Sequence, residues 1–176
     1  MEQVIGLSYI PNYITEQEET DIINLINEQV WNTELTRRTQ HYGYTYPYDT
    51  KDVLLPTTPI PYFMTYLSTR LSEEYAIQFD QVIVNEYEPG QGISAHIDHK
   101  KLFDDTIISI SMGSPCVMKF DQINTNNSVE KILEPRSLLV LQGDSRYKWR
   151  HSIPSRKKDN GIPRNKRISL TFRKKK

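Results

Sequence analysis

Asn85-Glu86-Tyr87-Glu88-Pro89-Gly90-Gln91-Gly92-Ile93-Ser94-Ala95-His96-Ile97-Asp98 sets how everything around it is read. The segment begins at the end of a β-branched and aromatic run, Gln81–Tyr87, turns at a cluster of Pro and Gly, and delivers a histidine and an aspartate two residues apart. On extended backbone, side chains two apart share a face, so His96 and Asp98 would point the same way. A lone His-x-Asp is common and by itself weak evidence for a metal. A second histidine, His151, follows the apolar run Ser137–Leu141 and a turn at Gly143-Asp144, and can close the same face from another strand. Two histidines and one carboxylate form the facial ligand set of non-haem Fe(II), which leaves coordination positions open. Alone, His151 would be read as a hydrogen-bonded packing residue; together the three favour a metal.

Outward from this segment the hydrophobic period divides the chain. Downstream, Thr106–Met112, Cys116–Phe120, Ser137–Leu141 and Arg167–Arg173 are short, β-branched and separated by Gly, Pro, Asn or Asp, which predicts an all-β second half. Upstream, Thr15-Glu16-Gln17-Glu18 reads as a capping box before a helix burying Ile22, Ile23, Leu25 and Ile26. A second helix is expected from about Pro61, with Phe63, Met64, Leu67 and Leu71 at helical spacing. The expected fold is mostly β with N-terminal helices, the helices buttressing two packed antiparallel sheets in a jelly roll. No repeat or boundary interrupts the chain, so one domain is expected over 1–176: helical support to about 80, a β core over about 81–173, then a basic tail.

On the last of these strands, Arg167, Ser169, Thr171 and Arg173 take one face and Ile168, Leu170 and Phe172 the other. Fe(II) held by three protein ligands needs an electron source to activate oxygen. A 2-oxo acid with a distant carboxylate would in turn need a fixed guanidinium, which this polar row offers. Taken alone, the run is an ordinary amphipathic edge strand. Between the helices, Arg37, Arg38, His41, Tyr42, Tyr44, Tyr46 and Tyr48 crowd one stretch interrupted by Gly43 and Pro47. Alternating cations and aromatics can stack on bases and contact phosphates, or form a hairpin with half-buried tyrosines, and the two readings are compatible.

Composition narrows the remaining classes. With 176 residues, 37% of them hydrophobic, the chain can bury a sizeable core without staples. The single cysteine, Cys116, excludes an internal disulfide and a Cys-rich zinc site. No apolar run approaches membrane-spanning length, and Met1-Glu2-Gln3 does not open like a signal peptide, so an intracellular chain, cytoplasmic or nuclear, monomeric and away from membranes, is expected. Net charge is zero, yet thirteen of the twenty-two basic residues lie between Arg146 and Lys176, with Asp159 the one acid there. That end could meet phosphate; the terminal Lys174-Lys175-Lys176 reads as a solvated tail.

At this point the chain resembles the AlkB-type family of Fe(II)- and 2-oxoglutarate-dependent dioxygenases over nearly its whole length. Within that family it is most similar to the branch that hydroxylates a modified wobble uridine in transfer RNA. The matching runs are Asn85 to Ile93 leading to His96-Ile97-Asp98, Arg136 to Val140, Ser145-Arg146-Tyr147 with Trp149 and His151, and Ser169 to Lys174 behind Arg167. The resemblance implies a double-stranded β-helix, with His96, Asp98 and His151 binding iron and Asn85, Tyr87, Arg167 and Arg173 holding 2-oxoglutarate. Arg167 would pair with the distal carboxylate. It also implies O2 as co-substrate, succinate and carbon dioxide as products, and a nucleotide-recognition lid in Arg37-Arg38 and His41-Tyr42-Gly43-Tyr44. Repair members of the family commonly carry an acid two residues after the iron aspartate; here Lys100 stands there, as though facing an anionic or ester-bearing base rather than a cationic one. His99 is expected beside the ligands rather than among them. The flanking RNA-recognition and methyltransferase modules of the branch have no counterpart in these 176 residues; a separate subunit could carry them, and the basic loop Arg156-Lys157-Lys158 could compensate for RNA contacts or be a solvated loop. RNA is the expected partner. An alkylated-DNA or -RNA repair demethylase, a protein or small-molecule oxygenase, and a non-catalytic binding module are the competing functions.

Overall fold

The computed structural model describes residues 3–46 and 52–176. Its elements run β1 (Leu7–Ile10), α1 (Glu16–Asn27), β2 (Thr39–Tyr42), β3 (Tyr44–Thr45), β4 (Leu55–Pro56), α2 (Tyr62–Tyr75), β5 (Gln81–Tyr87), β6 (Ile93–His96), β7 (Ile107–Gly113) and β8 (Cys116–Gln122). They continue as β9 (Ser128–Leu133), β10 (Ser137–Leu141), α3 (Asp144–Tyr147), β11 (Trp149–Ile153), β12 (Lys158–Asp159), β13 (Ile162–Pro163) and β14 (Arg167–Arg173).

Both helices begin where expected. The Glu18 N–H donates to Thr15 Oγ1 at 3.1 Å and the Thr15 N–H to Glu18 Oε1 at 3.0 Å, closing the capping box of α1. Ile22 and Ile26, one turn apart, are buried. Ile23 and Leu25, expected beside them, sit on the flanks of that face and are half-buried. Pro61 precedes α2, where a missing N–H matters least, and Phe63, Met64, Leu67 and Leu71 enter the core. The helix stops at Ala76, which turns left-handed at φ 54°.

Six antiparallel strands in the order β1-β10-β7-β14-β5-β2 form the larger sheet, and β6-β11-β8-β9 the smaller. Strand alternation gives the larger sheet two distinct faces. Ile168, Leu170 and Phe172 of β14, Ile108, Ile110 and Met112 of β7, and Val82 and Val84 of β5 pack with Ile22, Ile26, Met64, Leu67 and Leu71. The other face meets the smaller sheet through Leu139, Leu141, Met118, Phe120, Trp149 and Ile153. Each such side chain stabilises by roughly 1.5–3 kcal/mol when fully buried, so the flanks hold the sheets together. In the middle, the inner positions of β5 and β14 are polar. There Asn85, Tyr87, Arg167, Ser169, Thr171 and Arg173 line a pocket between the sheets. Arg167–Arg173 is therefore a central strand rather than an edge one, covered by helices on one side and by the second sheet on the other.

The turn before His96 brings the sheets to the ligands. Gly90 adopts φ 93°. A Cβ on Gly92 would lie 2.1 Å from the Ile153 carbonyl oxygen. That close approach lets β6 lie along β11 with His96 directly opposite His151. The terminal lysines are exposed at Lys175 and Lys176, as a solvated tail would be, yet their backbone is fastened. Lys175 bridges Phe103, the Lys176 N–H donates to Leu102 O at 2.9 Å, and the Lys175 N–H donates to Asp80 Oδ1 at 2.8 Å. Backbone bonds thus continue beyond β14 and strap the segment across the loop after Asp98, leaving Lys175 and Lys176 exposed. Among the described residues no helix is long and apolar enough to cross a membrane.

Candidate active site

His96 ends β6, His151 lies in β11, and Asp98 follows β6 by two residues with its carboxylate buried. The ring centroids of His96 and His151 are 4.3 Å apart. Their Nε2 atoms stand 3.4 and 3.6 Å from Asp98 Oδ1. His96 Nδ1 lies 2.7 Å from the Ser94 carbonyl oxygen. A carbonyl only accepts, so Nδ1 donates to it and Nε2 is the ring nitrogen that faces Asp98. Burial pushes His151 down to about 4, with Asp98 opposing. Burial alone would raise the Asp98 carboxyl. Arg173 and the two histidines outweigh it and hold the group far below the usual carboxylate range.

The carboxylate has two differently served oxygens. Oδ2 accepts from Arg173 Nε at 2.7 Å, while Oδ1 is buried with no hydrogen-bond partner. Two imidazole nitrogens and an unserved carboxylate oxygen therefore converge, with one ligand atom from each residue inside 4.8 Å of the others. Two nitrogens and one carboxylate oxygen so placed suit Fe(II) in a facial arrangement. On the donor set and the orphaned oxygen, the residues fit that metal.

The opposite end of the pocket is built for an anion. Arg167 is buried, donates from Nη2 to Ser111 Oγ at 2.8 Å, and leaves Nε without a partner. Its Cζ sits 5.3 Å from the centre of the Tyr87 ring. No carboxylate pairs with it among the described residues. A buried guanidinium without countercharge is strongly unfavourable, so the position suits a ligand carboxylate. Register explains its neighbours: Tyr87 pairs with Arg167 and Asn85 with Ser169, which puts all four on one inner patch. Burial raises the Tyr87 phenol, partly offset by Arg167 and Arg37.

The expected substrate residues divide. A second cavity beside the histidines is lined by Arg37, His41, Tyr46, Asn85, His99 and Phe103. Arg37 donates from Nε to Asn85 Oδ1 at 3.0 Å. Arg38 turns the other way, clasping Glu86 through two bonds of 2.8 and 3.0 Å and lying 4.5 Å over the Trp31 ring. Tyr42 is buried against the helices, its hydroxyl donating to Gln40 Oε1 at 2.8 Å. Neither faces the cavity, because adjacent residues of a strand-like segment face opposite ways. His41 bonds Thr39 Oγ1 at 3.1 Å, and burial, with Arg173 and Arg37, lowers its basicity. Tyr44 lies under Lys175, whose Nζ is 5.2 Å from the ring centre. Lys100 is exposed and is not among the side chains lining the second cavity, its carbonyl accepting from Lys176 Nζ at 3.2 Å. Tyr48 and Pro47 fall outside the described residues. His99 accepts at Nδ1 from the N–H groups of Lys101 and Leu102 and bonds Asp52 through Nε2 at 3.1 Å, so it stands beside the ligands as expected.

One residue escaped sequence reasoning. Arg146 is fully buried and donates to four carbonyl oxygens, of Asp98 at 2.7 Å and of His99, Phe103 and Asp104 at 3.3 Å each. It is the template around which the loop carrying Asp98 is wound. An arginine between Ser145 and Tyr147 carries no local signal of this, since all four acceptors are backbone atoms over forty positions away.

Residues 6–173 match the model of the 2OG-Fe(II) oxygenase superfamily. An uncharacterized protein of Acanthamoeba polyphaga mimivirus is 39% identical over 96% of this chain and 84% of its own length. An Arabidopsis thaliana protein named "Alkylated DNA repair protein ALKBH8 homolog" is 32% identical over 96% of this chain, which spans 58% of that protein. The Xenopus tropicalis "tRNA (carboxymethyluridine(34)-5-O)-methyltransferase alkbh8" is 36% identical over 88% of this chain, which covers 26% of the frog protein. Among solved structures, that of OsALKBH1 superposes with a TM-score of 0.74 at 19% identity, covering 98% of this chain and all of that one. That likeness shows the shared jelly-roll fold.

Proposed function

We propose that this chain, which belongs to the 2OG-Fe(II) oxygenase superfamily and its AlkB-like branch, oxidises a modified nucleobase in RNA, with a modified wobble uridine of transfer RNA as the leading substrate. A dioxygenase of this superfamily works with Fe(II), 2-oxoglutarate and O2. When bound, that group supplies the oxidising equivalent, the 2-oxo acid leaving as succinate and carbon dioxide while one oxygen atom goes to a C–H of the prime substrate. The chain as described acts as one catalytic unit.

In this reading His96, Asp98 and His151 hold the metal, and Arg173 fixes the second Asp98 oxygen so that Oδ1 stays on the ligand side. Arg167 takes the distal carboxylate of the co-substrate, with Asn85 and Tyr87 beside it. The observation that carries the reading is the pairing, within one pocket, of an orphaned carboxylate oxygen between two histidines and a buried arginine without countercharge. The apolar side chains Met118, Leu139 and Ile153 line the space between these ends and limit water there.

The nucleic-acid part rests on the second cavity, whose lining joins Arg37 and His41 to the rings of Tyr46 and Phe103, and on the names of the frog and plant relatives. Exposed Lys100, Lys101, Lys175 and Lys176 gather around the loop after Asp98, none paired to a carboxylate among the described residues. Lys100 favours a base bearing a carbonyl or carboxylate substituent over a cationic methylated one. The plant relative's name keeps a repair demethylase as the second reading. Succinate formation by the Fe(II)-loaded protein, with transfer RNA bearing modified wobble uridines, with alkylated DNA, and with neither, decides between them. Stimulation by the transfer RNA, absent in Asp98→Ala, supports the proposal; stimulation by alkylated DNA alone would replace it with repair.

A further inference from the structure

We propose that Arg37 is a positioning residue for the co-substrate: by holding Asn85 Oδ1 it turns the amide nitrogen of Asn85 into the pocket between the sheets, tying the segment that lines the substrate cavity to the affinity for 2-oxoglutarate. The proposal rests on the reading of that pocket given above. A guanidinium offers donors only, so the amide atom facing Arg37 Nε at 3.0 Å has to be the oxygen, and the other end of Asn85 is a two-proton donor. That bond is the one side-chain hydrogen bond of Asn85 among the described residues. A carboxylate accepts only. An Asn85 amide with nitrogen inward attracts it, and the flipped amide presents an oxygen and repels it. The side chain's orientation is therefore a switch between gain and loss, and Arg37 sets it.

The surroundings hold Arg37 to this task. The Glu86 N–H donates to Arg38 O at 3.0 Å, and Gln91 Nε2 donates to Thr36 O at 3.2 Å, so the segment on either side of Arg37 is fastened to β5 and the loop after it. Asn85 is itself locked in the larger sheet, paired with Thr39 on one side and Ser169 on the other. Arg37 lines the second cavity and Asn85 lines both cavities, so the contact is the wall between them. No carboxylate pairs with Arg37 among the described residues. Its charge reaches both sides, contributing to the lowered basicity of His41 and offsetting part of the burial effect on Tyr87.

Calorimetric titration of the Mn(II)-loaded protein with 2-oxoglutarate tests this without turnover. Arg37→Ala should weaken binding by about tenfold or more, the range of one hydrogen bond to a charged group. Arg37→Lys, which keeps the charge but loses the fixed fork, should weaken it comparably. The double variant with Asn85→Ala should bind no more weakly than Asn85→Ala alone, because Arg37 acts through that amide. Wild-type affinity in Arg37→Lys, or losses that simply add in the double variant, would overturn the proposal and leave Arg37 a general charge. Undiminished binding in Asn85→Ala overturns it as well. A wild-type protein that takes up Mn(II) but not 2-oxoglutarate would instead refute the reading of the pocket itself.

Discussion

Replacing Arg167 by methionine should stabilise or leave unchanged the metal-free protein while removing its hold on the co-substrate. In the absence of ligand, the substitution deletes one charge-assisted hydrogen bond to Ser111 Oγ and one contact with the Tyr87 ring. These are together worth about 2–4 kcal/mol. Against this, it removes a buried guanidinium with an unsatisfied Nε and no carboxylate partner among the described residues. The orphaned N–H alone costs about 1–3 kcal/mol, and the unpaired charge several more. Methionine is flexible enough to fill the space beside Met118 and Leu139. The balance lies between about zero and 4 kcal/mol in favour of the variant. Binding moves the other way: losing a buried arginine–carboxylate pair costs about 3–5 kcal/mol, or roughly 150- to 4,000-fold in affinity. Urea unfolding of the metal-free protein and calorimetric titration of the Mn(II)-loaded protein with 2-oxoglutarate read the two effects separately. A variant more than about 2 kcal/mol less stable than the parent, yet binding the co-substrate normally, would show Arg167 to be a structural residue.

Three further outcomes follow from the same geometry. Asp98→Asn keeps an oxygen toward Arg173 but removes the charge that balances a dication, and should weaken Co(II) binding, followed by its visible absorption, at least 100-fold; an unchanged titration would place the metal elsewhere. His151 stands at about 4 in the fold against an ordinary value near 6.5, so the unfolded chain takes up that proton first. The metal-free protein should lose stability as pH falls from about 6.5 to 4, by at most about 3 kcal/mol, and His151→Asn should flatten that slope in denaturant titrations. Gly92→Ala places a Cβ against the Ile153 carbonyl and Ser155 Oγ, both far inside contact distance. It should cost about 1–3 kcal/mol and weaken Co(II) binding by shifting β6 against β11, whereas an unaffected metal titration would uncouple that turn from the site.

Much of this arrangement was legible because the signals were local. The Thr15–Glu18 capping box, the helical spacing of Phe63, Met64, Leu67 and Leu71, and the alternation of Arg167–Arg173 each depend on residues within two turns or one strand, and all three formed as expected. The triad was legible because residue type and order carry its chemistry, and the structure brings its three members within 4.8 Å. What failed was non-local. The neighbours Arg37 and Arg38 read alike in sequence, and only the pairing of Arg38 with Glu86, forty-eight positions away, separates them. Tyr42 looked as exposed as Tyr44 until β2 was placed on the edge of the larger sheet beneath the helices. The terminal lysines are solvated as they looked, but nothing in their composition shows that their N–H groups donate to Leu102 O and Asp80 Oδ1. β9, whose exposures alternate along Ser128–Leu133, is an edge strand with too few apolar residues to stand out.

One strand carries both the core and the chemistry, and this ties fold to function more closely than a site on loops would. On β14 the odd positions from Arg167 to Arg173 face the pocket and the even ones face the helices. A one-residue slip would exchange the two sets, burying two arginines under α1 and α2 and exposing Ile168, Leu170 and Phe172 to a polar pocket. The apolar face therefore fixes the register that aims the arginines. The same strand then fixes the proposed metal ligand, because Arg173 reaches Asp98 Oδ2 from the strand side while Arg146 gathers the Asp98 carbonyl from behind. Asp98 lies outside any strand, yet it is held at both its side chain and its backbone by arginines anchored in regular structure. A carboxylate so placed cannot rotate Oδ1 away from the two histidines without breaking a buried ion pair, so the ligand set is pre-organised before the metal arrives.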